Sequence, residues 1–306
     1  MRDWHDGVNQ VLLSYLKNRN AFADALFYDV CALTESERSQ LDPMIEREGS
    51  VVVVSPAQAR PEGETIRHYP SAREFLESVD HPAQAIVLAG VGSSVLGAAA
   101  LARNVANVYQ MDVAAVVTGY GMLDIMDEAL GGWLFYGAAD RSRLELDNFL
   151  KQFPQMAWGM KLARSTTAGV WNQLSGVVTP GIRDTRTLLE ILSQQTGSLR
   201  LLLGHSKGSL MIAYALAHAS MDGHACFKNV QVVTLGAVAD IPGTCVMKRQ
   251  FIGGLDWFGG MNSRMGVPYT LIPNAWHHTN TKLAYHLSVE EVLKEVHLPS
   301  RSVQTP

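Results

Sequence analysis

Cysteine is scarce in this sequence. Cys31, Cys226 and Cys245 make three, an odd number with no CxxC spacing and no histidine pair nearby. That pattern argues against both a disulfide framework and a zinc site, and the thiols read as small buried hydrophobes. Basic runs are missing as well. With 25 Lys and Arg against 29 Asp and Glu, the chain carries a net charge of -4 and no Lys/Arg stripe, so nucleic acid is not an expected partner. The opening residues, "MRDWHDGVNQVLLSYLKNRN", mix charges into the apolar positions and lack a small-residue cleavage site. They do not read as a signal peptide, and a cytoplasmic location is expected. The longest charge-free stretch contains Ala83 to Ala102. Its G-V-G-S-S centre would expose backbone in lipid, so a strand, a tight turn and a buried helix are expected there instead of a membrane span.

What is present is apolar material in quantity. The 306 residues are 47% hydrophobic and 18% charged, enough for a large core. Residues 1–48 read as a helical extension, with "LTESERSQ" on its solvent side. The period then changes. "SVVVVSPA" and "TIRHYP" look like short strands, "SAREFLESV" like a short helix, and "AIVLAG", "SSVLGAAALARNVANVY" and "VAAVVTGY" like a β-α-β unit. Fully apolar strands of this kind sit in parallel sheets covered on both faces. A helix "TRTLLEILSQQ", a strand "SLRLLLG", a helix "GSLMIAYALAHAS" and strands at "VQVVTLGA", "RQFIGG" and "PYTLIP" follow. The chain closes on "SVEEVLKEV", an amphipathic helix with Ser288 as N-cap and Glu291 at the capping-box position. The expected architecture is one α/β domain over residues 1–306, a mostly parallel sheet of about eight strands with helices on both faces. Residues 119–184 are too long for a simple connection, and read either as a helical cap or lid or as ordinary peripheral helices.

Gly204-His205-Ser206-Lys207-Gly208 fits G-x-S-x-G. Those letters recur by chance in long chains, so context carries the weight. "LRLLL" precedes the motif and "SLMIAYALA" follows without a gap, giving the strand, sharp turn and helix that a nucleophile elbow needs. The bland alternative is a glycine-flanked turn with a capping serine. A serine hydroxyl attacks only when a base takes its proton, so a histidine and an acid must follow. Asp256 comes after "FIGG", with Asp240 of "VADIPG" as its rival; His277 and His278 come after "YTLIP", with His277 preferred for its place in the loop. His205 is expected to point away from the site and to pack. The Lys207 backbone N–H and, from the loop "LAGVGSS", Val91 and Gly92 are the candidate oxyanion donors. A phosphate-cradling reading of that loop is the competing one, with the spacing against it, because Gly97 is the next glycine after Gly90 and Gly92 and no acid closes the following strand.

On "GHSKG", "FIGGLDWFGGMNS" and "IPNAWHHTNTKL", the chain from about Ser50 onward resembles the α/β-hydrolase superfamily, in particular its lipase-like and esterase-like bacterial members. The resemblance implies a Ser206, Asp256, His277 triad, no metal and no organic cofactor. The oxyanion loop lacks the His-Gly pair common in that family, and Lys207 stands where a small or apolar residue is usual. A cation at a helix N-terminus opposes the macrodipole, which suggests service to a substrate carboxylate or phosphate, unless the lysine merely reaches solvent. The expected activity is hydrolysis of a small acyl ester through an acyl-enzyme. Thioester hydrolysis or acyl transfer on the same residues, and a catalytically silent binding scaffold, are the alternatives.

Overall fold

The computed structural model describes residues 24–41, 49–61, 63–78, 83–90, 93–118, 183–194, 198–221, 227, 229–242, 247–261, 263–264 and 266–299. Asp24 to Phe27 are helical, a 3-10 turn covers Val30–Ala32, and α1 spans Glu35–Leu41. Then come β1 (Val51–Val54), β2 (Ile66–Tyr69), α2 (Ala72–Glu77), β3 (Ala85–Leu88), α3 (Val95–Tyr109) and β4 (Val113–Val116). After α4 (Arg183–Gln194) follow β5 (Leu201–His205), α5 (Lys207–Met221), β6 (Gln231–Leu235), β7 (Met247–Gly253), α6 (Trp257–Met261), β8 (Thr270–Ile272) and α7 (Val289–Lys294). The expected cap at 119–184 lies outside the described residues except for 183 and 184, which open α4. Among the described residues no helix is long and apolar enough to cross a membrane.

The eight strands form one sheet in the order β2-β1-β4-β3-β5-β6-β7-β8. Every pair from β4 to β8 is parallel, whereas β1 runs antiparallel to both of its neighbours. Side chains alternate across a strand, so each strand feeds two cores. Val52, Val87, Leu203 and Val233 pack on one face with α3 and α7, while Val51, Ile86, Leu202 and Val232 pack on the other with α4 and α5. This two-sided burial explains why the strands are apolar without alternation. The parallel run also brings the C-terminal ends of β3, β5, β7 and β8 to one rim of the sheet, where the candidate residues lie.

Two expectations are corrected here. "LTESERSQ" does not lie wholly on the solvent side: Glu37 is buried in α1, where its carboxylate accepts hydrogen bonds from Arg103 of α3, Thr65 Oγ1 and the Thr34 N–H. A buried charge is tolerated only when paired, and the sequence gives no sign of a partner 66 positions away. Cys31 is exposed instead of buried; Cys226 and Cys245 lie outside the described residues.

Asp24 fastens the N-terminal segment to the start of α3. Its carboxylate accepts from Ser93 Oγ at 3.1 Å and from the Ser94 N–H at 3.1 and 3.2 Å, next to the α3 N-cap Ser94. Burial pushes its pKa up from 3.8 to about 6, against the lowering effect of these bonds from Ser94 and Ser93. The folded protein therefore holds this proton up to about pH 6, and the unfolded chain only to 3.8. Stability is therefore lost as pH rises from about 4 to about 6, where the unfolded chain has ionised and the folded protein has not; above pH 6 the loss is complete, and well below 3.8 both states are protonated and the group has no effect. Asp24→Asn removes that dependence. The stability of the variant relative to wild type should rise by about 3 kcal/mol between pH 4 and pH 7 in urea titrations, at ~1.4 kcal/mol per pKa unit. A gap that stays constant with pH would refute the assignment.

Candidate active site

β5 ends at His205 and α5 begins at Lys207, so one residue must make the whole reversal. That residue is Ser206. Its N–H continues the parallel ladder by donating to the Leu235 carbonyl at 2.8 Å, while its own carbonyl already accepts from the Ser209 N–H at 3.0 Å. Strand on one side and helix on the other force φ to 57°, the left-handed region that a side chain ordinarily avoids. The motif glycines allow the crowding that results. A Cβ at Gly208 would stand 2.3 Å from the Leu88 carbonyl oxygen, and one at Gly204 would stand 2.5 Å from Ser209 Cα. Both obstacles are backbone or its first carbon, so neither can move aside cheaply.

Ser206 Oγ lies 2.7 Å from His277 Nε2. His277 Nδ1 lies 2.7 Å from Asp256 Oδ2. All three residues are buried, with the His277 and Asp256 side chains 2% and 0% exposed. The directions follow from chemistry: an ionised carboxylate only accepts, so Nδ1–H donates to Asp256 and Nε2 of the neutral ring accepts the Ser206 hydroxyl proton. Asp256 sits between β7 and α6 and divides its oxygens between two tasks. Oδ1 accepts the Gly259 N–H at 2.6 Å and caps α6, leaving Oδ2 for the imidazole. The aspartate thus starts the turn into α6 with one oxygen and points the second at His277.

The other predicted residues are placed differently. Asp240 is half-buried beyond the end of β6, and Nδ1 of His277 is taken up by Asp256. His278 is buried but turned elsewhere: its Nε2 donates to the Ala284 carbonyl at 3.1 Å, its ring packs edge-on to Trp276, and burial lowers its pKa. Lys207 is buried at the first position of α5 and does not reach into solvent. Val91 and Gly92 lie outside the described residues. Among the described residues, no group of three or more His, Cys, Asp or Glu is arranged to hold a metal ion.

His205 is a correction. It does not simply pack away from the site, because its Nε2 lies 2.8 Å from the main-chain oxygen of His277 and its Nδ1 lies 2.9 Å from Tyr28 Oη. Tyr28 carries no sequence signal, since it is 177 positions from its partner and part of no motif.

Comparison with protein-family models, with curated proteins and with solved structures finds no match to this chain.

Two substitutions test the strain in the turn. Ser206→Gly and Ser206→Ala lose the same hydroxyl, but only glycine occupies φ 57° freely. Ser206→Gly should be the more stable of the two by about 1 kcal/mol in chemical denaturation, and equal stability would contradict a strained serine. Gly208→Ala, which drives a methyl against the Leu88 carbonyl, should cost about 3 kcal/mol or more by the same measurement.

Proposed function

We propose that the protein is a serine hydrolase of the α/β-hydrolase kind that cleaves a carboxylic ester through an acyl-enzyme. One observation carries the reading: a serine held at φ 57° at the C-terminal rim of a parallel strand, its Oγ 2.7 Å from an imidazole whose other nitrogen is 2.7 Å from a buried carboxylate. Structural serines have no need of that combination. The strained turn costs stability, and burying a histidine–aspartate pair costs desolvation, so both make sense as provisions for chemistry.

In the proposed reaction, Ser206 Oγ attacks the ester carbonyl as its proton passes to His277 Nε2. Asp256 holds the ring in the tautomer that makes this possible and stabilises the imidazolium that forms. The oxyanion develops beside the N-terminus of α5, where the Lys207 backbone N–H is the nearest donor along the chain and the helix dipole is favourable. The loop after β3 is the expected source of a second donor. Collapse of the tetrahedral intermediate expels the alcohol, which takes the proton from His277. A water molecule then gives its proton to Nε2, attacks the acyl carbon and releases the acid, regenerating the Ser206 hydroxyl.

A fluorophosphonate probe should label the wild-type protein at Ser206 and leave Ser206→Ala unlabelled. A series of p-nitrophenyl esters should be turned over with an optimum in acyl chain length. Asp256→Asn should keep the fold and lower kcat by about 10⁴-fold, as expected when the tautomer support is lost. A folded wild-type protein that neither labels nor turns over any ester would show the same geometry serving as a silent scaffold.

A further inference from the structure

Beneath the Ser206–His277 pair runs a second chain of hydrogen bonds that the proposed reaction does not use. The Gly90 N–H donates to Tyr28 Oη at 2.5 Å, Tyr28 Oη lies 2.9 Å from His205 Nδ1, and His205 Nε2 lies 2.8 Å from the His277 carbonyl oxygen. The directions are forced. A carbonyl only accepts, so His205 Nε2 carries the proton; Nδ1 of the neutral ring is then bare and accepts the Tyr28 hydroxyl, whose oxygen remains free to accept from Gly90. Both side chains are buried, and burial together with the nearby His277 ring lowers the His205 pKa to about 3. The ring therefore stays neutral well below pH 5, and the His277 carbonyl selects its tautomer.

The neighbours of Tyr28 grip the same loop by their main chain. The Phe27 carbonyl accepts from the Thr279 N–H at 2.7 Å and from Thr279 Oγ1 at 3.0 Å, and the Ala25 carbonyl accepts from Asn280 Nδ2 at 2.6 Å. The Phe27 ring stands edge-on to the His277 imidazole at 6.0 Å. The loop that carries His277 is thus held on one side by Asp256 and on the other by a segment from the far end of the chain.

We infer that Tyr28 and His205 are positioning residues for the proposed reaction: acting through the His277 main-chain carbonyl they fix where the base stands, and acting through Gly90 they fix the start of the loop after β3 relative to it. This rests on Ser206 being the nucleophile and His277 its base. The segment at 24–29 is accordingly part of the site and not an appendage to it. Both side chains are buried and act through the main chain they hold. Their contribution is to hold Nε2 at proton-sharing distance from Oγ while the imidazole gains and loses charge, where small misplacements are costly.

Tyr28→Phe removes a single oxygen, His205→Leu removes both polar contacts, and His205→Gln keeps an N–H aimed at the His277 carbonyl. Tyr28→Phe and His205→Leu should each lower kcat and the rate of fluorophosphonate labelling by roughly 10- to 100-fold, with KM within about twofold of wild type. The double variant should be no slower than the slower single one, because both act through one chain, and His205→Gln should recover part of the loss. Wild-type rates in folded Tyr28→Phe and His205→Leu, or losses that multiply, would overturn the proposal. The wild-type protein supplies a test that needs no variant: nitrogen-15 NMR of the histidines should show His205 neutral and protonated at Nε2 from pH 5 to pH 8, and a proton on Nδ1 would overturn the proposal whether or not the variants fold. A wild type with neither labelling nor turnover would instead sink the nucleophile reading, while the His205 tautomer would still decide the hydrogen-bond chain.

Discussion

Serine seldom adopts a left-handed backbone, and the geometry of this site turns on Ser206 doing so. The conformation is imposed from two directions: the ladder to Leu235 extends β5 through the Ser206 N–H, and α5 begins with the very next residue. With no residues left over for a gentler turn, the side chain is thrust out at the strand's end, and Gly204 and Gly208 must be bare for the chain to pass. The elbow is therefore a consequence of joining a buried parallel strand to a buried helix with a single connecting residue. Its cost is met by the packing of both elements, since β5 is fully buried and α5 contributes to one of the two cores.

Sheet direction supplies the remaining partners. Because β5, β6, β7 and β8 run parallel, the segments that leave them emerge along the same rim, and the chain need only place an acid after one and a histidine after another. Asp256 follows Gly253 by three positions and His277 follows Ile272 by five, so neither loop has much freedom. The Asp256 carboxylate is pinned further by capping α6. One short helix thus orients the oxygen that orients the imidazole, and the local requirement of a helix N-terminus is coupled to the geometry at Ser206.

This organisation explains which parts were legible in the sequence. The strands were readable because two-sided burial writes itself as an unbroken apolar run, as in "AIVL" and "LRLLLG", and the turn was readable because only glycine fits two positions to either side of Ser206, at 204 and 208. Strand limits were less visible: the run from Val113 continues apolar beyond Val116, where the ladder ends and Thr118 turns to bond the Gly90 carbonyl. The antiparallel placement of β1 between β2 and β4 could not be read, because "SVVVV" is equally apolar in either direction. Long-range pairings outside the motif-bearing loops were invisible. Glu37 with Arg103 and Tyr28 with His205 involve residue types that are ordinarily exposed or merely packed, and only the folded arrangement shows them to be each other's compensation.

The N-terminal segment meets the site through pairings of the same long-range kind. Such a segment could hold to the sheet by apolar contact alone, as Leu33 and Leu41 do in the core beside α3. At 24–29 the apolar packing of Phe27 and Tyr28 is joined by a set of polar bonds: Asp24 to Ser93 and Ser94, Tyr28 to Gly90 and His205, and the Ala25 and Phe27 carbonyls to Asn280 and Thr279. Buried polar attachments contribute little net stability compared with hydrocarbon of the same volume, but they are far more exacting about geometry. Such contacts fix position more than they add strength. They converge on the two loops that flank Ser206, where position is what the proposed chemistry requires.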